Sequence, residues 1–346
     1  MGAETCFATA FYHVSGYAPN LGVWGNASKD FAYYRCMVVM FYSVRLFYPE
    51  ARLIIFSNRE IGGKYREDLK KLRVETVIVP QEAQRYVIDP AISNTFPGCL
   101  FTLDVINFLA VGEFGAEISS LILLDSDCIF LDRVDELINR MKKDGAISAL
   151  PLGYALGRNM NGQSRATLSL LRADMIRGAE GFQEEGNLIE TYGGEFLAVP
   201  PGASAHLARE IERYWTFVKQ KTDVYGTQYT EEHILSLVLN DWATRLWISP
   251  YVIKRAWTSD VYQNIDGTEL NYAILHMPAE KAFLFKSLYR LLEKNPDLLT
   301  SISLRDIIAR RLRAVSSPTV FSRYLRYMRN AIRRLRAAKN ALPGIE

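Results

Sequence analysis

Leu121-Ile122-Leu123-Leu124-Asp125-Ser126-Asp127 is the stretch that decides the fold. Four consecutive aliphatics suit a strand buried on both faces, as in a parallel sheet covered by helices. The run stops on two carboxylates, and a second apolar run, Ile129-Phe130-Leu131, follows at once. An Asp-x-Asp arises by composition roughly 0.7 times per chain this rich in aspartate, so the bare triplet carries little. Its position carries more, because two charges wedged between apolar runs are costly unless paired or metal-bound. Residues two apart on an extended segment project to the same side. Asp125 and Asp127 can therefore offer hard oxygen ligands to one divalent cation. The alternative is a pair of capping or salt-bridging carboxylates.

Outward from this stretch, strands and helices alternate. Residues 6–14 read as a first buried strand, 30–48 as a buried helix, and 51–58 as a strand ending at Ser57-Asn58. A charged helix near 60–72 leads to a β-branched strand closed by Pro80, and 98–112 is helical between Gly98 and Gly112. This order predicts an α/β fold with a mostly parallel sheet flanked by helices, Rossmann-like in its first half. The second half is mixed: a Gly/Asn-rich loop at 151–165, a strand near 190–199, helices around 203–221 and 230–241, and short strands near 245–258 and 271–277. Without a Gly/Ser linker, residues 1–290 read as one unit. Residues 5–150 would form its first half and 151–290 its second half. A basic helical arm over 291–346 would follow.

Composition sets the outer limits. A chain of 346 residues that is 49% hydrophobic and 23% charged can bury a large core, which excludes a disordered or collagen-like protein. Cys6, Cys36, Cys99 and Cys128 are widely spaced and read as reduced thiols. No apolar run approaches the roughly 18 residues of a membrane span, and residues 1–14 lack the pattern of a secretory signal. These features lead us to expect a cytoplasmic protein. Charge is uneven: residues 305–339 hold 11 Lys and Arg against Asp306, a net of +10, while the whole chain is +3 and the remainder therefore −7.

With these segments in view, the chain resembles nucleotide-sugar glycosyltransferases of the GT-A fold. Its pattern is closest to the glycogenin-like family 8, which includes bacterial lipopolysaccharide galactosyltransferases. In that family a DxD after an apolar strand holds Mn²⁺ or Mg²⁺ against the donor diphosphate. Ala273-Ile274-Leu275-His276-Met277-Pro278-Ala279-Glu280-Lys281 is similar to the family's His-x-x-Gly-x-x-Lys segment, one residue shorter and without its Gly. The resemblance implies that His276 is a third metal ligand and that Lys281 meets the phosphates; otherwise His276 is a hydrogen-bonded residue at a strand end. It also places Thr9, Ala10, Phe11, Asp104 and Ser126 on the donor side, although Asp104 stands where the family usually has a cation.

Two further segments fit the same resemblance. Thr191-Tyr192-Gly193-Gly194-Glu195 is similar to the small-residue strand that approaches donor and acceptor, where glycines admit a ligand or mark a bulge. Thr230-Glu231-Glu232-His233-Ile234-Leu235 is similar to an acidic helix start, and an N-cap with first-turn acids explains it equally well. Retention of configuration is implied by the family alone. An inverting reaction needs a carboxylate base, for which Glu195 and Glu232 are the candidates.

In the arm, Phe321, Tyr324, Leu325, Met328, Ile332 and Leu335 recur at three- and four-residue intervals among arginines. A helix over 321–339 would be about 28 Å long, with the pattern of an interfacial helix on anionic lipid. Packing on the body or on another subunit is the alternative, and the acidic body disfavours nucleic acid. The expected function is thus a metal-dependent hexosyltransferase, peripheral on the inner face of the membrane through 317–339. It would move sugar from a UDP-linked rather than a GDP-linked donor to a saccharide or glycolipid acceptor in surface-polysaccharide synthesis. A non-catalytic membrane adaptor of the same fold and a nucleotide-sugar hydrolase are the alternatives. Neighbouring residues argue against a haloacid-dehalogenase phosphatase and a sugar-nucleotide pyrophosphorylase, and no P-loop or zinc-helix motif occurs.

Overall fold

Alternation with a period of two sorts the strand residues onto two faces. Phe7, Leu53, Ile55, Ile122, Leu124, Phe196 and Ala198 fall in one buried cluster. Cys6, Ala8, Ile54, Phe56, Leu121, Leu123, Leu197 and Val199 fall in the other. A sheet buried on both sides needs helices on both sides, and the computed structural model has them. It describes residues 5–13, 29–92, 98–112, 114, 117–118, 120–177, 188–242, 246–247, 251–259 and 263–316.

The strands are β1 (Thr5–Phe11), β2 (Arg52–Ser57), β3 (Val74–Ile78), β4 (Ser120–Leu124), β5 (Cys128–Phe130), β6 (Ser148–Pro151), β7 (Asn159–Met160), β8 (Gln163–Ser164), β9 (Tyr192–Val199), β10 (Ile253–Arg255) and β11 (Ile274–His276). Six of them form the central sheet in the order β3-β2-β1-β4-β9-β6. β3, β2, β1 and β4 run parallel, and β9 is antiparallel to both β4 and β6. A small second sheet, β10-β11-β5, lies beside it, and β7 pairs with β8. This is the mostly parallel α/β fold that the strand–helix alternation predicts.

Among the described residues the helices of more than one turn are α1 (Lys29–Phe47), α2 (Gly63–Lys71), α3 (Phe101–Val111), α4 (Asp135–Asp144), α5 (Arg165–Arg177), α6 (Ser204–Gln220), α7 (Glu231–Asp241), α8 (Leu284–Lys294) and α9 (Ser301–Ser316). α1, α2, α4, α8 and α9 cover one face with the second sheet. α3, α5, α6 and α7 cover the other. α1 is long and almost uniformly apolar because it is buried. Its last turn carries Arg45, whose guanidinium donates to the carbonyls of Leu72, Pro49 and Ala51 at 2.9, 2.9 and 2.6 Å. α4 stops at Gly145, which takes the left-handed conformation, φ 63°, that ends helices without a Cβ clash.

The first part of the expected arm, residues 291–316, packs on the body. Leu299, Leu304, Ile308 and Leu312 are buried in the main core, because an apolar stripe at four-residue spacing on α9 faces the body. Two of the arm's cations are also turned inward: Arg311 pairs with Glu280 at 2.8 Å, and Arg305 donates to the Leu270 carbonyl. The expected interfacial helix over 321–339, with the rest of segment 317–346, lies outside the described residues. Among the described residues, no helix is long and apolar enough to cross a membrane.

The topology fixes where a ligand belongs. From β1 the chain proceeds outward to β2 and β3, then returns to place β4 on the other side of β1. In open α/β sheets the crevice beyond the carboxyl ends of two such strands is the binding site.

Candidate active site

Two ladders end at that crevice and bring four side chains together. The β4–β9 ladder runs one residue beyond β4, where the Asp125 N–H donates to the Glu195 carbonyl at 2.9 Å. A tight turn follows, closed by the Cys128 N–H on the Asp125 carbonyl at 3.1 Å. β5 then pairs antiparallel with β11, setting Cys128 opposite His276, and the Met277 N–H donates to the Asp127 carbonyl at 3.0 Å. Asp125, Asp127, Glu195 and His276 therefore meet although they span 151 positions of sequence.

His276 lies at the centre. Its Nδ1 is 3.1 Å from Glu195 Oε1, and its Nε2 is 3.5 Å from Asp125 Oδ2 and 3.4 Å from Asp127 Oδ2. Nε2 is buried and has no hydrogen-bond partner. Ligand atoms of Asp125, Asp127 and His276 all lie within 4.8 Å of one another. Asp127 is 3% exposed, whereas Asp125 is 50% exposed at the mouth. A buried imidazole with one nitrogen held by a carboxylate and the other aimed, unbonded, at two more carboxylates fits a divalent cation.

Charge points the same way. The Lys281 ammonium pairs with Asp127 Oδ2, and the Arg255 guanidinium grips both oxygens of Glu195 and also Glu232 Oε1 at 2.5 Å. Four carboxylates (Asp125, Asp127, Glu195, Glu232) against two cations (Lys281, Arg255) leave −2 with His276 neutral. Burial works against ionisation of Asp127, yet Lys281 and then His276 hold its carboxyl well below the usual range. Burial likewise opposes ionisation of Glu195, and Arg255 with His276 overcomes it. Burial lowers His276, but Asp127 and Glu195 outweigh it and push the imidazole up to about 9. Such a site takes up positive charge, as a proton on His276 or as a cation.

The other expected site residues divide. Thr9, Ala10 and Phe11 end β1 beside the crevice, and Thr9 is fully buried with no partner for its hydroxyl. Phe11 packs on Tyr33, centroids 6.0 Å apart, and the Lys281 ammonium sits 5.6 Å from the Tyr33 ring, so Tyr33 joins the end of β1 to the carboxylates. Ser126 is buried between the two aspartates of the turn. Asp104 is hydrogen-bonded within the body. It is fully buried, and its oxygens accept the Tyr86 and Val87 N–H at 2.8 and 3.0 Å, holding that loop to α3. Arg85 is paired with Glu212 at 2.9 Å.

The residues at the start of α7 divide. His233 is a cap: its Nδ1 accepts the Thr230 N–H at 2.9 Å and its Nε2–H donates to the Met160 carbonyl. Glu231 and Glu232 face the site. Glu231 packs over Gly194, where a Cβ would overlap it. Burial, then the Glu232 carboxylate beside it, pushes Glu231 up to about 8. Arg255, Tyr33 and Tyr154, whose hydroxyl accepts from Arg255 at 3.1 Å, are absent from the sequence reading. Arg255 stands next to Lys254 in one short strand. Only the strand's alternation of faces could separate them, and Lys254 turns to Asp266 and Glu269 at 2.6 and 2.8 Å.

No family model matches the chain, and no curated protein does. Among solved structures it is similar to the galactosyltransferase LgtC in complex with donor and acceptor sugar analogues, at 14% identity and TM-score 0.48 over 82% of this chain and 95% of that one. It is similar to mouse xyloside xylosyltransferase 1 at 16% identity and TM-score 0.45, covering 79% and 97%. The bifunctional glycosyltransferase WbbM matches at 8% identity and TM-score 0.44, covering 80% of this chain and 46% of that one. Likenesses of this order carry no information about the residues of the site or their chemistry.

Proposed function

We propose that the chain is a divalent-metal-dependent glycosyltransferase of the GT-A type. Its donor would be a nucleotide diphosphate sugar, UDP-linked rather than GDP-linked, and its acceptor a saccharide or glycolipid. The observation that carries this reading is the unbonded Nε2 of buried His276, aimed at Asp125 and Asp127 beyond the carboxyl end of β4. Bound there by Asp125, Asp127 and His276, Mn²⁺ or Mg²⁺ would act as a Lewis acid on the leaving diphosphate. Lys281 adds a fixed positive charge beside Asp127, placed to meet phosphate oxygens as charge develops on them. Tyr33 keeps that ammonium in place with its ring face. The end of β1, Thr9 to Phe11, forms the wall nearest the nucleotide.

Both Glu195 and Glu232 are engaged by Arg255, which suits neither to accept a proton. Glu231 has a buried oxygen with no hydrogen-bond partner and is the carboxyl able to meet a sugar hydroxyl. Attachment to an anionic membrane surface through 317–339 rests on the arginine-and-apolar pattern of that segment.

The test is thermal unfolding with UDP, GDP and CMP, each with Mn²⁺ or with EDTA. A ligand at about 100 times its dissociation constant stabilises by roughly 2.7 kcal/mol, a shift of a few degrees. A Mn²⁺-dependent shift with UDP supports the reading, and no shift with any nucleotide removes it in favour of a non-catalytic adaptor. A panel of acceptors then separates transfer from hydrolysis. Truncation after Ser316 should abolish binding to anionic vesicles while sparing transfer to a soluble acceptor, and unchanged vesicle binding would remove the membrane part.

A further inference from the structure

We infer that Glu195, clamped by Arg255, is the positioning residue of this site: it accepts the Nδ1–H of His276 and so presents the Nε2 lone pair to the cation. The inference rests on the metal-dependent reading above and concerns a side chain that reading does not need.

Three observations support it. Glu195 is directly opposite Asp125 at the end of the β4–β9 ladder, so the pairing of β9 with β4 sets its place. It is fully buried, and its carboxylate is shared between the Arg255 fork and His276 Nδ1. A buried carboxylate held bidentately cannot rotate away from the imidazole, which fixes the ring's tautomer and plane.

The sequence makes room for this clamp. At Gly193 a Cβ would overlap Glu195 Oε2 and the Arg255 guanidinium. The β6–β9 register also slips between Ala149 and Leu150, an irregularity of the kind that re-aims side chains near sites. Arg255 is fixed in turn by Glu232 on α7 and by the Tyr154 hydroxyl. A continuous set of contacts therefore runs from the first turn of α7 through Arg255 and Glu195 to the metal-facing nitrogen.

The experiment measures Mn²⁺ alone, by the electron paramagnetic resonance signal of the free ion, against wild type and Glu195→Gln at a temperature where circular dichroism shows both folded. The amide keeps the shape and removes the charge, so Mn²⁺ affinity should fall about 10- to 100-fold. Affinity within threefold of wild type overturns the positioning role while leaving the metal site standing. A wild type that binds no Mn²⁺ overturns the metal reading and this inference with it. Should Glu195→Gln not fold, ring-¹⁵N histidine labelling of the wild type with Zn²⁺ decides. A proton on His276 Nδ1 with Nε2 bare supports the inference, and a proton on Nε2 with Nδ1 bare overturns it.

Discussion

Glu280 and Lys281 are neighbours in sequence and belong to opposite kinds of buried charge. A 3-10 turn, Pro278–Glu280, sends their side chains to different places. Glu280 is fully buried, and every direction around its carboxylate is taken: Arg311 donates at 3.0, 2.9 and 2.8 Å, the Leu284 N–H at 3.3 Å, and the Thr258 hydroxyl as well. Lys281 reaches Asp127 in the other direction, into a cluster where acids outnumber bases and His276 Nε2 has no partner. The first cluster is closed and holds α9 to the body. The second keeps an unmatched nitrogen beside the half-exposed Asp125. The difference teaches that buried charge by itself does not mark function; unmatched hydrogen-bonding capacity in a crevice does.

The largest effect expected from this contrast is on turnover. Asp125→Ala removes a half-exposed ligand whose loss leaves no buried charge stranded. Sugar transfer should fall about a thousandfold or more while the melting temperature barely moves. Near-normal turnover would sink the assignment of Asp125 to the metal.

Next comes the closed cluster. Arg311→Ala leaves the Glu280 carboxylate buried without its cation, which should cost about 3 kcal/mol in urea unfolding, with Mn²⁺ affinity unchanged. If Mn²⁺ binding weakened in parallel, the two clusters would not be independent.

His233 supplies a pH test of the closed kind. Burial holds its imidazole down to about 4, against an ordinary value near 6.5. The folded state thus resists a proton that the unfolded chain accepts. Its stabilisation is complete above pH 6.5 and is lost as pH falls toward 4. Between pH 7 and pH 5 wild type should lose about 2 kcal/mol more than His233→Gln; equal losses would exclude a neutral, buried cap.

The smallest effect separates a structural carboxylate from a donor contact. Asp104→Asn keeps one acceptor for the 86–87 backbone and turns an amide against the other. It should destabilise by about 1 kcal/mol without altering the UDP-induced thermal shift. A lost shift with intact stability would return Asp104 to the donor side.

How much of this was legible in the sequence depends on the range of the contacts. The strands β1 to β4 and the helices between them follow from apolar runs and their polar stops, which are local signals. Asp125 and Asp127 stood out because two charges interrupted a buried run. His276 and Lys281 were reachable through a motif resemblance. Arg255 was not: its partners Glu195 and Glu232 lie 60 and 23 positions away, and only the alternation of a three-residue strand separates it from Lys254. The packing of α9 on the body was not legible because arginine density there masked the stripe of Leu304, Ile308 and Leu312 that buries it.

The sequence by itself determined the α/β alternation, the two carboxylates at the end of a central strand and the uneven charge of the C-terminal segment, because each is written in residues close together. Tertiary structure alone decided which acids are closed and which are open. It put Glu280 under Arg311, Asp104 under a loop and His233 in a cap, and it joined Glu195 to His276 by ending two ladders at one point. The physical reason is that the state of a buried charge is set by whichever groups the fold packs around it, and those groups come from strands and helices far apart in the chain.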